Sequence, residues 1–194
     1  VPILNGSSIA LFRKAIVMTP PQVTPGIFAC LAEATGSEVL EVFGPTVELL
    51  TTPDDDAEIC VMRAVVPPGA TVPLHSHDDY EGFFIVSGRQ QVLVEGAQGL
   101  TWIEAGAGDY IQIPGGAPHA HRNVTADPAV DLVVTTARLG RFFREVGVPV
   151  ADAVRSASPE RLARFVEVAT AYGYWLGSPE ENAAVGIDLP AFAG

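Results

Sequence analysis

Lysine is almost missing from this 194-residue chain: Lys14 stands alone, and lysine and arginine together number 11 against 23 acidic residues. The formal charge of −12 repels phosphate backbones and anionic lipid headgroups, which argues against nucleic acid or a membrane surface as partner. Cysteine is nearly as scarce. Cys30 and Cys60 are too far apart for a Cys-x-x-Cys zinc or redox pair, and one disulfide is a small staple for a domain of this size, so both read as packed thiols of a cytoplasmic protein. No apolar run approaches the roughly 20 residues that span a bilayer, and Asn5, Arg13 and Lys14 interrupt any signal-peptide core between Val1 and Met18.

Turn formers and apolar residues, by contrast, are plentiful. With 19 glycines, 16 prolines and 48% hydrophobic residues the chain turns often and has enough apolar surface to fold, as about one domain. Short β-branched runs are expected as strands at Thr46–Thr51, Glu58–Val66, Thr71–His77, Glu81–Ser87, Gln90–Glu95, Leu100–Ile103, Asp109–Ile113, Pro118–Arg122 and Val130–Thr136. Gly, Pro and Asp clusters separate them, including Asp54-Asp55-Asp56, which reads as a solvated acidic turn. No crossover helix fits between them, so the class is all-β, an antiparallel barrel or jelly roll. Trp102 and Met62 are expected to fill its core.

Beyond Thr136 the period becomes helical: Leu139, Phe142, Phe143 and Val146 share one face before Gly147, and Ser158-Pro159-Glu160 and Ser178-Pro179-Glu180-Glu181 each announce a further helix, the last stopping near Gly186. The segment up to about Phe43 reads as one or two strands plus loop.

All four histidines fall between positions 75 and 121. His75 and His77 stand two apart on one strand and therefore point to one face, a hairpin return brings Glu81 back beside them, and His119 follows the rigid turn Pro114-Gly115-Gly116-Ala117-Pro118. Three imidazoles and one carboxylate converging inside a β shell suit a borderline first-row divalent metal, whose charge would offset the desolvation of an inward glutamate. His121 shares the face of His119, as a pocket or outer-layer group or as a polar rim residue. Phe83 and Ile85 continue the parity of Glu81, as pocket walls or as core, and Tyr80 is a hydrogen-bonding candidate at the pocket mouth.

These residues resemble the two motifs of the cupin superfamily. Gly69, His75, His77, Glu81 and Gly88 fit G-x5-H-x-H-x3–4-E-x6-G, and Gly108, Pro114, Gly116, His119 and Asn123 fit G-x5-P-x-G-x2-H-x3-N. The resemblance implies a cupin jelly-roll β-barrel over residues 46–136 with metal held by His75, His77, Glu81 and His119, a C-terminal helical extension over 137–194 packed on it, and N-terminal strands over 1–45 that could be exchanged in a homodimer. Asn123 is expected to bond backbone.

The tail after Arg141-Phe142-Phe143-Arg144 looks like that of single-domain bacterial quercetin 2,3-dioxygenase-like cupins. What this implies is a dioxygenase of small flavonol- or diketone-like substrates, with one divalent transition-metal ion (Fe, Mn, Ni, Co, Cu or Zn) and Glu81 as both ligand and catalytic base. With only Arg63, Arg89 and Arg122 in the barrel, phosphorylated substrates are disfavoured. The alternative is a non-redox cupin, either a metal-organised small-molecule binder or an isomerase or lyase.

Overall fold

A strand whose alternate residues are apolar buries one face only, so a run of such strands is stable as two sheets facing each other. The computed structural model of the protein describes residues 37–53, 57–97, 99–153 and 158–189, all within one unit spanning 32–194, and two sheets are what it contains. In chain order the elements are β1 (Val39–Glu41), β2 (Thr46–Leu49), β3 (Ile59–Val66), β4 (Thr71–Ser76), β5 (Glu81–Ser87), β6 (Arg89–Gly96), β7 (Gly99–Gly106), β8 (Tyr110–Ile113), β9 (His119–Arg122), β10 (Ala129–Thr136), α1 (Ala137–Val146), β11 (Val148–Pro149), α2 (Pro159–Ala171), β12 (Trp175–Leu176) and α3 (Pro179–Ala184).

One sheet runs β11-β1-β2-β3-β10-β5-β8 and the other β12-β4-β9-β6-β7. From β3 to β10 the chain crosses repeatedly between them, the winding of a jelly roll, as expected for the cupin fold. Among the described residues no ladder joins the two sheets, so the jelly roll consists of two facing sheets. Facing sheets stand about 10 Å apart to hold two layers of side chains, roughly twice the spacing of paired strands, so their edges could bond only where a strand bends across.

Between the sheets lie Cys60, Met62, Phe83, Ile85, Val92, Ile111 and Val133, with Cys60 a buried free thiol. Trp102 was expected in this core and is instead in a separate outer layer, partly buried, where the tail covers Leu74, Leu93 and Ala120 with Ile187 and the Trp102 Nε1 donates to the Val185 carbonyl at 2.9 Å. The tail has its own core of Leu139, Phe142, Val146, Val168, Ala169 and Tyr174. Its helices start as expected: Thr136, Ser158 and Ser178 each accept from a backbone N–H of the first turn, and Ser178 and Glu181 form a reciprocal capping box.

The tail is not purely helical, since β11 extends the first sheet beside β1 and β12 extends the second beside β4. Gly147 follows α1 in extended backbone and packs so close to Leu40 that a Cβ there would strike it. Cys30, the acidic turn at Asp54–Asp56 and most of the N-terminal segment lie outside the described residues. Among the described residues no helix is long and apolar enough to cross a membrane.

Candidate metal centre

Antiparallel pairing of β4 with β9 sets His75 opposite His119, after a register shift between Val72 and His75. Their rings lie 4.1 Å apart between centroids, with His77 at 5.2 Å from His119 and 5.6 Å from His75. One ring nitrogen from each of the three falls within 4.8 Å of the other two. Glu81 enters from the facing sheet on β5, with Oε2 at 3.2 Å from His119 Nε2 and 3.5 Å from His77 Nε2. The two sheets thus bring together all four residues singled out in the sequence.

The three imidazoles share one tautomer. His75 Nδ1 lies 2.8 Å from the Pro73 carbonyl, His77 Nδ1 3.0 Å from the Asp79 carbonyl and His119 Nδ1 2.8 Å from the Ala117 carbonyl. A carbonyl only accepts, so each Nδ1 carries the proton and donates it, which leaves the Nε2 lone pair free. His119 Nε2 is buried with no hydrogen-bond partner. A lone pair and a carboxylate oxygen at 3.2 Å repel each other unless a cation lies between them.

For bonds of about 2.1 Å, ligands at right angles are about 3 Å apart, close to the 3.2 and 3.5 Å between Glu81 and the imidazoles of His119 and His77. The residues therefore fit a divalent ion with nitrogen and oxygen ligands. An outer layer of backbone acceptors already fixes the orientation of each imidazole.

Burial, then the charge of His119, drives the pKa of His75 well below the usual histidine range. Burial also pulls His77 down, yet the hydrogen bond and charge of Glu81, with Asp79, carry it above that range. For Glu81, burial pushes up, but the imidazoles of His119 and His77 close beside it, at 3.2 and 3.5 Å, hold the carboxyl far below its usual value. His121 falls to about 3, through burial and the charge of His119, and is a neutral imidazole at neutral pH.

Both nitrogens of His121 are buried without partners, and one lies within 4.8 Å of ligand atoms on Glu81 and His119. It borders the cluster rather than the rim. Phe83 packs against the His121 ring at 4.7 Å between centroids, and Ile85 sits two residues deeper along β5, fully buried in the core between the sheets. Tyr80 is corrected: its hydroxyl pairs with that of Tyr110 at 2.6 Å, beside Gly82 on the outer side of β5, opposite to the face that carries Glu81 and Phe83. A residue in the turn before a strand does not inherit the parity of that strand. Asn123 behaves as expected, donating to the Val66 and Asp127 carbonyls.

Two polar groups escaped sequence reasoning. Asp79, 3% exposed, binds Thr136 Oγ1, Arg138 Nη1 and the Tyr174 hydroxyl. Asp131, on β10, faces Gln90 between the sheets, with Gln90 Nε2 donating to Asp131 Oδ2 at 2.7 Å.

The turn bearing the second motif braces the first. Gly116 N donates to the His77 carbonyl at 2.7 Å, and a Cβ on Gly115 would overlap the Asp78 carbonyl. Gly115→Ala is expected to push the 77–81 turn away, costing about 1–3 kcal/mol by overpacking and weakening uptake of divalent metal. Chemical denaturation and metal titration on the same preparation check both effects; unchanged values in both would mean that the contact is slack.

Residues 62–135 match the family model Cupin_2, described as a cupin domain. No curated protein matches the chain. Among solved structures, the polyketide cyclase RemF from Streptomyces resistomycificus is 21% identical over 73% of this chain and 99% of its own, with TM-score 0.51. An RmlC-like cupin from Shewanella frigidimarina is 17% identical over 57% of this chain and 92% of its own, with TM-score 0.47. The DMSP lyase DddQ from Ruegeria pomeroyi is 30% identical over 42% of this chain and 39% of its own, with TM-score 0.37. With two complete motifs, the jelly-roll winding and the match over this stretch, residues 62–135 are a cupin domain.

Proposed function

We propose that the protein is a metal-dependent dioxygenase of small, oxygen-bearing molecules of flavonol or diketone type, with one divalent transition-metal ion held by His75, His77, Glu81 and His119. The observation that supports this reading most is the shared tautomer of the three imidazoles, which turns Nε2 of His77 and His119 to the Glu81 carboxylate and leaves one nitrogen of each ring within 4.8 Å of the others. When bound, a divalent ion would supply Lewis acidity and acidify a coordinated hydroxyl.

The protein's own residues then have separate tasks. Glu81, whose carboxyl is held in the ionised form, would take the proton from the substrate hydroxyl. Neutral His121, with two unpartnered nitrogens, orients a second substrate oxygen. Phe83 and Ile85 keep that region apolar and exclude water.

Oxygen-electrode assays on metal-loaded protein with a flavonol, a vicinal diol and a β-diketone test the reading. O2 uptake with one of them is expected, and Glu81→Gln, which keeps the shape but cannot take the proton, is expected to lower it by about 10²–10⁴. No uptake from any substrate with any of the candidate metals would contradict it.

The second reading is a non-redox isomerase or lyase. It is favoured by the neutral imidazole of His121 next to the carboxylate of Glu81, a pair able to move a proton without O2. Turnover that is equal with and without oxygen would select it. A homodimer belongs to the same proposal, and a solution mass twice that of the chain is the expected result.

A further inference from the structure

Burying a carboxylate is costly unless donors surround it. Asp79 meets that condition with three, and all three come from the junction of the sheet with the tail or from the tail itself. Thr136 Oγ1, at the N-terminus of α1, donates to Oδ1, while Arg138 Nη1 and the Tyr174 hydroxyl each donate to Oδ2 at 2.8 Å. Arg138 also donates to the Tyr172 carbonyl and lies over the rings of Tyr172 and Tyr174.

Asp79 in turn fixes His77. Its carbonyl takes the proton of His77 Nδ1, and its carboxylate Oδ2 stands 4.0 Å from the same nitrogen. The Tyr174 ring packs on His77 at 5.1 Å between centroids, while His119 contacts that imidazole edge-on at 5.2 Å. A second clasp holds His75. In the pairing of β12 with β4, Leu176 stands opposite His75 and Trp175 opposite Ser76. Next to it, Gly177 N donates to the Leu74 carbonyl at 2.8 Å and Leu74 N donates to Asn182 Oδ1 at 2.9 Å. Asn182 is fully buried, and its Nδ2 donates to the Gly177 and Ser178 carbonyls.

We propose that the tail segment from Tyr172 to Asn182 is a working part of the metal centre, in which Tyr174 acts through Asp79 as a positioning residue that orients His77 for the ion. The inference rests on the metal-binding reading above. Outer-layer partners of a ligating imidazole fix its tautomer and direction, and their loss typically lowers metal affinity by about 10–100-fold.

The test is titration of Co2+ into the full-length metal-free protein, reading both the dissociation constant and the visible absorption bands, which report the geometry around cobalt. Tyr174→Phe removes one hydroxyl and keeps the ring. It is expected to weaken Co2+ binding about tenfold and to alter the bands, and Asp79→Asn is expected to do the same or more. Phe165→Leu loosens the tail at its contacts with Phe43 and Phe142, one ring removed from Tyr174, without touching the Asp79 hydrogen bonds, and is expected to leave the constant within twofold.

Tyr174→Phe alone decides if Asp79→Asn does not fold. Wild-type affinity and bands in Tyr174→Phe would overturn the proposal, as would an equal loss in Phe165→Leu, which would mark a general packing effect. A wild-type protein that takes up no Co2+ would overturn the metal-binding reading itself, a result distinct from the other two.

Discussion

His119→Ala is expected to abolish tight binding of divalent metal, with a loss greater than the roughly 10–100-fold that follows from disturbing an outer-layer partner. His119 occupies the middle of the cluster. Its Nε2 lies 3.2 Å from Glu81 Oε2, its ring is the neighbour of both His75 and His77, and its Nδ1 is tied to the Ala117 carbonyl. Alanine removes one ligand and leaves Glu81 with a single imidazole contact, at 3.5 Å from His77.

In the metal-free state the same change leaves a cavity but also removes a buried nitrogen that has no partner, so the folding cost of truncation is partly offset. Metal titration followed by elemental analysis after dialysis reads the effect. Retention of one tightly held ion per chain by His119→Ala would exclude this residue from the ligand set.

The second large effect concerns stability and lies away from the metal cluster. Asp131 is 1% exposed, its Oδ1 has no partner, and burial, opposed only by the Gln90 hydrogen bond, raises its pKa from 3.8 to about 6. A carboxyl whose pKa is higher in the folded chain than in the unfolded one favours the protonated folded state. Its contribution to stability is therefore complete below about pH 4, declines as the pH rises, and is gone above about pH 6.

The size of the decline is about 3 kcal/mol at most. Asp131→Asn keeps a hydrogen-bonding partner for Gln90 and cannot ionise, so its stability relative to wild type is expected to rise across that window and to level off above it. At pH 8 the gain corresponds to an increase in Tm of roughly 6–12 °C. Denaturant unfolding of both proteins between pH 4 and pH 8 checks it, since other titrating groups cancel in the difference. A pH-independent difference would mean that Asp131 is already ionised at low pH in the folded protein.

The candidate metal ligands were legible because strand geometry is strict. Residues two apart share a face, so His75 with His77 and His119 with His121 each define a direction from spacing alone. The winding was legible for a related reason, in that turn residues such as Gly88 and Gly108 interrupt the apolar alternation and both have positive φ in the structure.

Other features left no local trace. β11 and β12 are two residues each, too short to show a period. Asp79 has partners 57, 59 and 95 residues away, so a reading based on neighbours sees only an acidic turn. Tyr80 adjoins Glu81 in the chain, but adjacency across a turn says nothing about face. Gln90 and Asp131 stand beside apolar residues in the inward rows of β6 and β10, and their meaning depends on a contact 41 residues apart.

The most direct test of the central claim is diffraction from metal-soaked crystals at the absorption edge of the added ion. One anomalous peak is expected, at about 2.0–2.2 Å from the Nε2 atoms of His75, His77 and His119 and from a carboxylate oxygen of Glu81. A strong peak elsewhere, or none here at saturating metal, would contradict the account.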